Sequence, residues 1–398
     1  MNKCAIKKDI YWVGSVDWNM RNFHGHTYTT QRGTTYNSYL IIDDKIALVD
    51  TVLDNFSEEL IENIRAITPP EKIDYIIANH VERDHSGSLP ALMKLCPKAK
   101  IFGTPKCREG LFKHYYENWN FQEVKTGDSL SLCRKTLKFV EMAMIHWPDS
   151  MLTFCPEEKV ILSNDAFGQH YATSARFDDE VDEAILMDEA AKYYGNILWP
   201  LSILIQKKID EIKSANLDFD MIAPSHGIIW RRNPAKIIEA YSYWANNSTV
   251  EKCVVVYETM WGATKEMARR ITQGLIDSGI TVSLFDINQA DRTQIIKEML
   301  TAKGFIFGSS THDNDMLTNI AGFLEFVKGL KPKNRLCACF GSYGWAGGAV
   351  AKMEELTSSV GIKVAQEGLA VKFVPDENEL NDSYEFGLNF AEKIKQQS

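Results

Sequence analysis

Asn79-His80-Val81-Glu82-Arg83-Asp84-His85-Ser86-Gly87 decides how the first half of this chain is read. The apolar run 75–78 precedes it, so the cluster sits at the C-terminal end of a strand. His80, Glu82, Asp84 and His85 place four metal-capable side chains within six residues. At i, i+2, i+4 and i+5 across a strand-to-loop turn, they converge from two sides on one or two ions. Burying so many ionisable groups together without a cation is costly.

Three further candidates each follow an apolar strand. They are His146 in Ile145-His146-Trp147-Pro148-Asp149, Asp165 in Leu162-Ser163-Asn164-Asp165, and His226 in Ala223-Pro224-Ser225-His226-Gly227. A lone histidine on a strand is more often a satisfied core or surface residue, and that bland reading is kept for His114 and His170. The strands read at this end of the chain cover 10–16, 36–42, 46–49, 75–78, 137–141, 160–162 and 221–223. Helical stretches fall at 55–67 and 198–212.

From residue 250 onward the pattern is cleaner. The apolar run 253–257 reads as a buried parallel strand, and 281–285, 304–307 and 336–340 as its companions. Helices over 265–278, 293–300, 319–328, 350–359 and 379–395 separate them, which argues for a doubly wound parallel sheet. The polar join at 246–251 divides the chain into domains 1–249 and 250–398.

The strand 253–257 runs into Glu258-Thr259-Met260-Trp261-Gly262-Ala263-Thr264-Lys265. A hydroxyl- and glycine-bearing turn at a helix start offers free N–H groups and a positive dipole end to a phosphate. It is neither a Walker A loop nor a GxGxxG turn. Gly308-Ser309-Ser310-Thr311-His312-Asp313-Asn314 follows the third strand, and Gly341-Ser342-Tyr343-Gly344-Trp345-Ala346-Gly347-Gly348 the fourth. Both loops lie where ligands bind in such sheets, at the C-terminal strand ends.

Composition narrows the rest. The 398 residues are 45% apolar and 24% charged, enough to bury cores and too apolar for a disordered chain. No apolar run approaches the ~18 residues that span a bilayer. The first twenty residues lack the h-region of a secretory signal, so a cytoplasmic protein with no membrane segment is expected. A net charge of −9 offers no basic field for nucleic acid. Eight scattered cysteines without a CxxC pair read as reduced, mostly core thiols. Cys337 and Cys339 alternate within a strand-like run.

The first cluster resembles the metallo-β-lactamase fold, whose hydrolases carry His-x-His-x-Asp-His at this position. Glu82 stands in place of the second histidine. His-x-Glu-x-Asp-His, followed by His, Asp and His at later strand ends, resembles the flavodiiron proteins. The 259–264 turn resembles the FMN-phosphate loop of flavodoxin, with Thr259 and Thr264 as hydroxyl donors. Ala263 replaces the Ser or Gly more usual there. The resemblance covers essentially the whole chain in the same domain order. It implies an N-terminal metallo-β-lactamase-like αβ/βα sandwich followed by a flavodoxin-like sheet.

By that resemblance, His80, Glu82 and His146 hold one iron, Asp84 and His226 the other, and Asp165 bridges them. His85 is either a ligand or a residue beside the site. Mixed carboxylate and imidazole donors suit iron better than zinc. FMN is assigned to Thr259, Met260, Trp261, Gly262, Ala263 and Thr264; to Ser310, Thr311, His312, Asp313 and Asn314; and to Ser342, Tyr343, Gly344, Trp345 and Gly347. Tyr343 or Trp345 covers the ring. His24 or His26, Tyr193 and Tyr194 are pocket candidates that donate protons or shape the cavity. Trp147 lies between the cofactors or in the core.

The implied activity is reduction of nitric oxide to nitrous oxide, of dioxygen to water, or both. No rubredoxin-like module is appended, so a separate donor is expected, rubredoxin or a reduced deazaflavin. A head-to-tail homodimer or a dimer of dimers is implied. Two other classes stay open: a zinc-dependent hydrolase with a flavodoxin-like regulatory domain, and a non-catalytic gas or redox sensor. A flavin spectrum with iron analysis separates the first of these, and rapid steady-state turnover the second.

Overall fold

The computed structural model describes residues 4–25 and 27–397. His26 lies outside the described residues. The chain forms two compact units, one running to Tyr193 and resuming over Ile203–Ser242, the other holding Tyr194–Ser202 and everything from Tyr243 onward.

In the first unit, seven strands run in the order Cys4–Lys7, Ile10–Trp12, Tyr39–Ile41, Ile46–Val49, Ile73–Ile77, Lys100–Gly103 and Phe121–Glu123. The first four pair antiparallel, and pairing is parallel from Ile46–Val49 onward. A second sheet orders Ser129–Ser131, Thr136–Glu141, Met151–Cys155, Val160–Asn164 and Met221–Pro224. Side chains alternate across a strand, and both faces of the first sheet are used. Ile41, Val49, Ile77 and Phe102 meet Phe139, Met151, Leu162 and Ala223 in one core between the sheets. Leu40, Leu48, Ile76 and Ile101 meet Leu60, Leu92 and Leu111 of three helices, Ser57–Arg65, Leu89–Leu95 and Pro105–Tyr115, in another. This is the expected sandwich, with metal candidates gathered at strand ends.

The runs 10–16 and 36–42 are each broken, into Ile10–Trp12 and Ser15–Asp17, and into Thr34–Tyr36 and Tyr39–Ile41. The helix read over 198–212 begins only at Ser202, after a 3-10 turn at Trp199–Leu201. Pro200 within that turn lacks the amide hydrogen that a helix interior needs.

The second unit is a parallel sheet in the order Thr281–Asp286, Val250–Glu258, Ala302–His312, Leu336–Tyr343, with Lys363–Val364 and Leu369–Lys372 both pairing to the last. This is the flavodoxin-like order. Cys253, Val255, Ile306 and Phe340 pack on the helices Ala263–Asp277 and Glu377–Gln396. Val254, Val256, Phe305 and Phe307 are equally buried, and Arg292–Thr301 and Thr318–Leu330 pack against the strand Val250–Glu258. Cys337 and Cys339 are buried and unlinked. Among the described residues, no helix is long and apolar enough to cross a membrane.

Ile306 is fully buried at the centre of this sheet. Ile306→Ala should cost about 2–5 kcal/mol, measured by urea unfolding of the full chain. A loss below about 1 kcal/mol would contradict the packing described.

Candidate functional site

The strand Ile73–Ile77 ends just before Asn79-His80. Asp84 and His85 then fall on a short helical turn, Arg83–Ser86, rather than on an open loop. Ligand-capable atoms of His80, Glu82 and His146 lie within 4.8 Å of one another, and so do those of Asp84, His85 and His226. Asp165 stands between the two groups. Its Oδ2 is 3.3 Å from His146 Nε2 and 3.7 Å from His80 Nε2, while its Oδ1 is 3.1 Å from His85 Nε2 and 3.5 Å from His226 Nε2. One carboxylate therefore offers one oxygen to each triad.

The imidazoles are aimed by partners outside the cluster. His80 Nδ1 lies 3.0 Å from Asp149 Oδ2, which also accepts from Val81 N. His226 Nδ1 donates to the Thr35 carbonyl at 2.7 Å. Both rings thus turn Nε2 inward. Behind them, the buried Asp50 accepts from Asn79 N at 2.8 Å and from the side chains of Asn79 and Asn164 at 3.3 Å. It fixes the residues immediately before His80 and Asp165. Burial pushes the Asp50 carboxyl up to about 6.

Whether these residues fit a metal is tested by the buried atoms they leave over. Both oxygens of Asp84, both nitrogens of His85, Asp165 Oδ2 and His226 Nε2 make no hydrogen bond among the described residues. Buried polar atoms are normally satisfied, and cations held between these residues would satisfy the group together. Charge tells the same story. Burial opposes the His85 imidazolium, yet the Asp84 and Asp165 carboxylates overcome it and raise its pKa to about 9. Burial likewise opposes the charge on His80, but hydrogen bonds to Asp149 and Glu82 hold its pKa well above the ordinary value. Burial works against Asp165 ionising, but His85 and His146 keep its carboxyl well below the usual range. Protons occupy places that suit metal ions.

Of the pocket candidates, His24 Nε2 lies 2.9 Å from Glu82 Oε1. The Tyr193 ring centroid is 6.3 Å from that of His226. Tyr194 is a correction: its hydroxyl pairs with Ser202 Oγ at 3.0 Å and its ring lies against Trp244, so it packs rather than lining the cavity. Trp147 sits edge-on to His80 at 5.0 Å, partly buried against the core. His170, set aside on sequence, is fully buried with its ring 5.0 Å from that of His226 and its Nδ1 2.8 Å from Thr34 Oγ1. Asp149, Asp50 and Phe23, whose ring lies 4.2 Å from that of His24 and 5.7 Å from that of His226, were also missed. Only Asp149, three residues after His146, carried a signal.

In the second unit, the 259–264 turn opens the helix Ala263–Asp277 on Gly262, whose φ of +96° favours glycine. No side chain caps that helix start. Thr264 Oγ1 lies 2.9 Å from both Ser310 Oγ and Ser342 Oγ, so three buried hydroxyls converge, one from the helix start and two from neighbouring strands. Beside them is a cavity of about 480 Å³ lined by Met260, Trp261 and Ala263, by 310–314, by 342–346 and by Phe373 and Val374. Thr259, Gly262, Thr264 and Gly347 are not in its lining. Thr259 Oγ1 instead accepts from Gly262 N at 3.1 Å. Phe373, Val374 and Ala346 were not assigned from sequence. Trp261 and Trp345 stand 93% and 91% exposed at the rim, too open to be core. An uncapped helix start, a hydroxyl cluster and an aromatic-rimmed cavity fit a phosphate-bearing planar cofactor.

Comparison with known proteins agrees with this geometry. Residues 34–227 match the ODP family beta lactamase model, and residues 255–387 match the Flavodoxin model. The chain is 50% identical to a nitric oxide reductase of Moorella thermoacetica over 98% of each protein. It is 43% identical to an anaerobic nitric oxide reductase flavorubredoxin of Vibrio vulnificus, over 97% of this chain and 79% of the relative. The rubredoxin oxygen:oxidoreductase of Desulfovibrio gigas superposes with a TM-score of 0.97 at 36% identity, covering 100% of this chain and 99% of that one.

Asp149→Ala removes the outer partner of His80. It should weaken metal retention about 10- to 100-fold, read by competition with a chromophoric chelator. Unchanged affinity would detach Asp149 from the site.

Proposed function

Because the chain belongs to the flavodiiron proteins, and so is an oxidoreductase, we propose that it reduces nitric oxide to nitrous oxide, or dioxygen to water, at a diiron centre fed by FMN. The observation that carries this reading is the placement of Asp165, one oxygen toward each triad. His80, Glu82 and His146 hold one iron; Asp84 and His226 hold the other, with His85 beside it. Iron supplies one-electron redox chemistry and open coordination for a diatomic gas, and FMN supplies a two-electron store released singly.

The chain's own residues do the rest. Asp149 and the Thr35 carbonyl keep the imidazoles of His80 and His226 turned inward. Burial works against the charged form of His24, but its hydrogen bond to Glu82 raises its pKa. It is a proton donor at the edge of the cavity. Tyr193, whose hydroxyl pKa burial raises well above the ordinary value, stays protonated with its ring near His226. Thr264, Ser310 and Ser342 hold the flavin phosphate. A hydrolase has no use for such a pocket, and Glu82 lacks the imidazole that zinc-hydroxide chemistry favours.

Met260, Trp261, Trp345, Phe373 and Val374 leave an exposed apolar rim around the flavin cavity. Patches of this kind mark interaction surfaces. We assign this one to a second copy of the chain in a head-to-tail dimer, working in the cytoplasm with a separate electron donor such as rubredoxin.

Asp165→Ala should abolish gas reduction while flavin absorbance persists, and Thr264→Val should loosen FMN with iron retained. If Asp165→Ala also strips the flavin, the two sites are not separable as described. The dimer has its own test. Mixing an iron-dead chain (Asp165→Ala) with a flavin-dead chain (Thr264→Val with a bulky Gly262 substitution) should restore activity in the isolated mixed dimer. An inactive mixed dimer would mean that each chain uses its own pair of cofactors.

A further inference from the structure

Five helices of the second unit start at the C-terminal ends of its parallel strands, the edge where the cavity lies, and the last, Glu377–Gln396, is capped by Asp376. Their first turns are treated differently. Arg292–Thr301 is capped by Asp291, which accepts from Thr293 N. Ala263–Asp277 and Ala349–Ser359 start on Gly262 and Gly348 and carry no side-chain cap of their own. Thr318–Leu330 starts on Leu317, which offers no cap, but a residue from a different strand supplies one. Glu258 Oε2 accepts from Ile320 N at 2.9 Å, and Oε1 accepts from Asn319 Nδ2 at 3.1 Å. Asn319 Nδ2 also donates to Asn288 Oδ1 at 2.6 Å.

Glu258 is 5% exposed, and it is the last residue of the strand Val250–Glu258. Thr259, the first hydroxyl residue of the 259–264 turn, follows it directly. Among the described residues, no ion pair reaches its carboxylate. Its charge is held by an amide, a first-turn N–H and the positive end of a helix, a set that suits an anion. One carboxylate thus joins the root of the 259–264 turn to the start of Thr318–Leu330, and through Asn319 to Asn288. The 259–264 turn is in turn pinned across the edge, because Met260 N donates to Ser310 Oγ and Thr264 Oγ1 meets Ser310 and Ser342.

We propose that Glu258 is a positioning residue for the flavin phosphate. It fills the anion-attracting start of Thr318–Leu330, while the start of Ala263–Asp277, where the hydroxyls of Thr264, Ser310 and Ser342 meet, stays open for phosphate. It also clamps the root of the turn, which keeps Thr259 and Thr264 in register with Ser310 and Ser342. This rests on the FMN reading above and adds a specific consequence to it. Segments 343–346 and 373–374, which line the cavity away from the hydroxyl cluster and to which we assign the flavin ring, follow other strands. Loss of the clamp therefore acts on recognition of the phosphate and spares the ring.

The full chain, stripped of flavin, is titrated separately with FMN and with riboflavin, following flavin fluorescence. Glu258→Gln keeps the side chain's shape and removes its charge. Asn319→Ala removes one partner and leaves the carboxylate. Each should weaken FMN binding about tenfold or more, the scale of one charge-assisted hydrogen bond, and leave riboflavin within about twofold of the parent chain. Metal content should match the parent. Equal loss of both flavins would reveal general loosening of the unit and overturn the proposal, as would no loss of either. A parent chain that binds neither flavin would remove the FMN reading itself.

Discussion

Asp165 is a carboxylate 1% exposed, with imidazoles approaching both of its oxygens. Everything else in the first unit is arranged around the cost of putting it there. An ionised carboxylate in so dry a place requires compensating charge, and His85 and His146 supply only part of what Glu82, Asp84 and Asp165 bring together. The two-sheet core delivers the strand ends that carry these side chains. Asp50 and Asp149 then hold the residues beside and beneath them. Removing one member of such a network leaves the others buried and unpaired, which is why the site behaves as a unit.

The second unit meets the opposite problem. For the FMN phosphate we propose there, the sheet edge must present N–H groups and hydroxyls without a bound carboxylate in the way. A glycine at the helix start, with positive φ and no capping side chain, achieves this at Gly262. Three hydroxyls, one from that helix and two from strands, complete the cradle. The same physics of helix starts places a protein carboxylate at Thr318–Leu330 and leaves the start of Ala263–Asp277 open to an anion.

Much of this was legible in the chain. Apolar runs ending in polar clusters marked His80, His146, Asp165 and His226, because a buried strand can expose chemistry only where it stops. The doubly wound order followed from alternating strands and helices. Other features depend on three-dimensional contact and left little trace. Asp50 ends the apolar run 46–49, yet it lies 29 residues before Asn79, which it holds, and no nearby ligand-type residue singles it out. Pro105–Tyr115 buries only Cys107 and Leu111, too sparse a stripe to stand out as a helix. Phe373 and Val374 line the cavity from a segment that reads as an ordinary loop. Tyr193 and Tyr194 are adjacent and alike in type, yet only the first faces the metal cluster, since which way each ring points is set by tertiary packing.

The most direct measurement is anomalous diffraction at the iron edge from crystals of iron-loaded chain. Two iron peaks should appear on opposite sides of the Asp165 carboxylate, one among His80, Glu82 and His146 and the other beside Asp84 and His226. A single peak, or scattering that rises only at the zinc edge in fully active protein, would contradict the account.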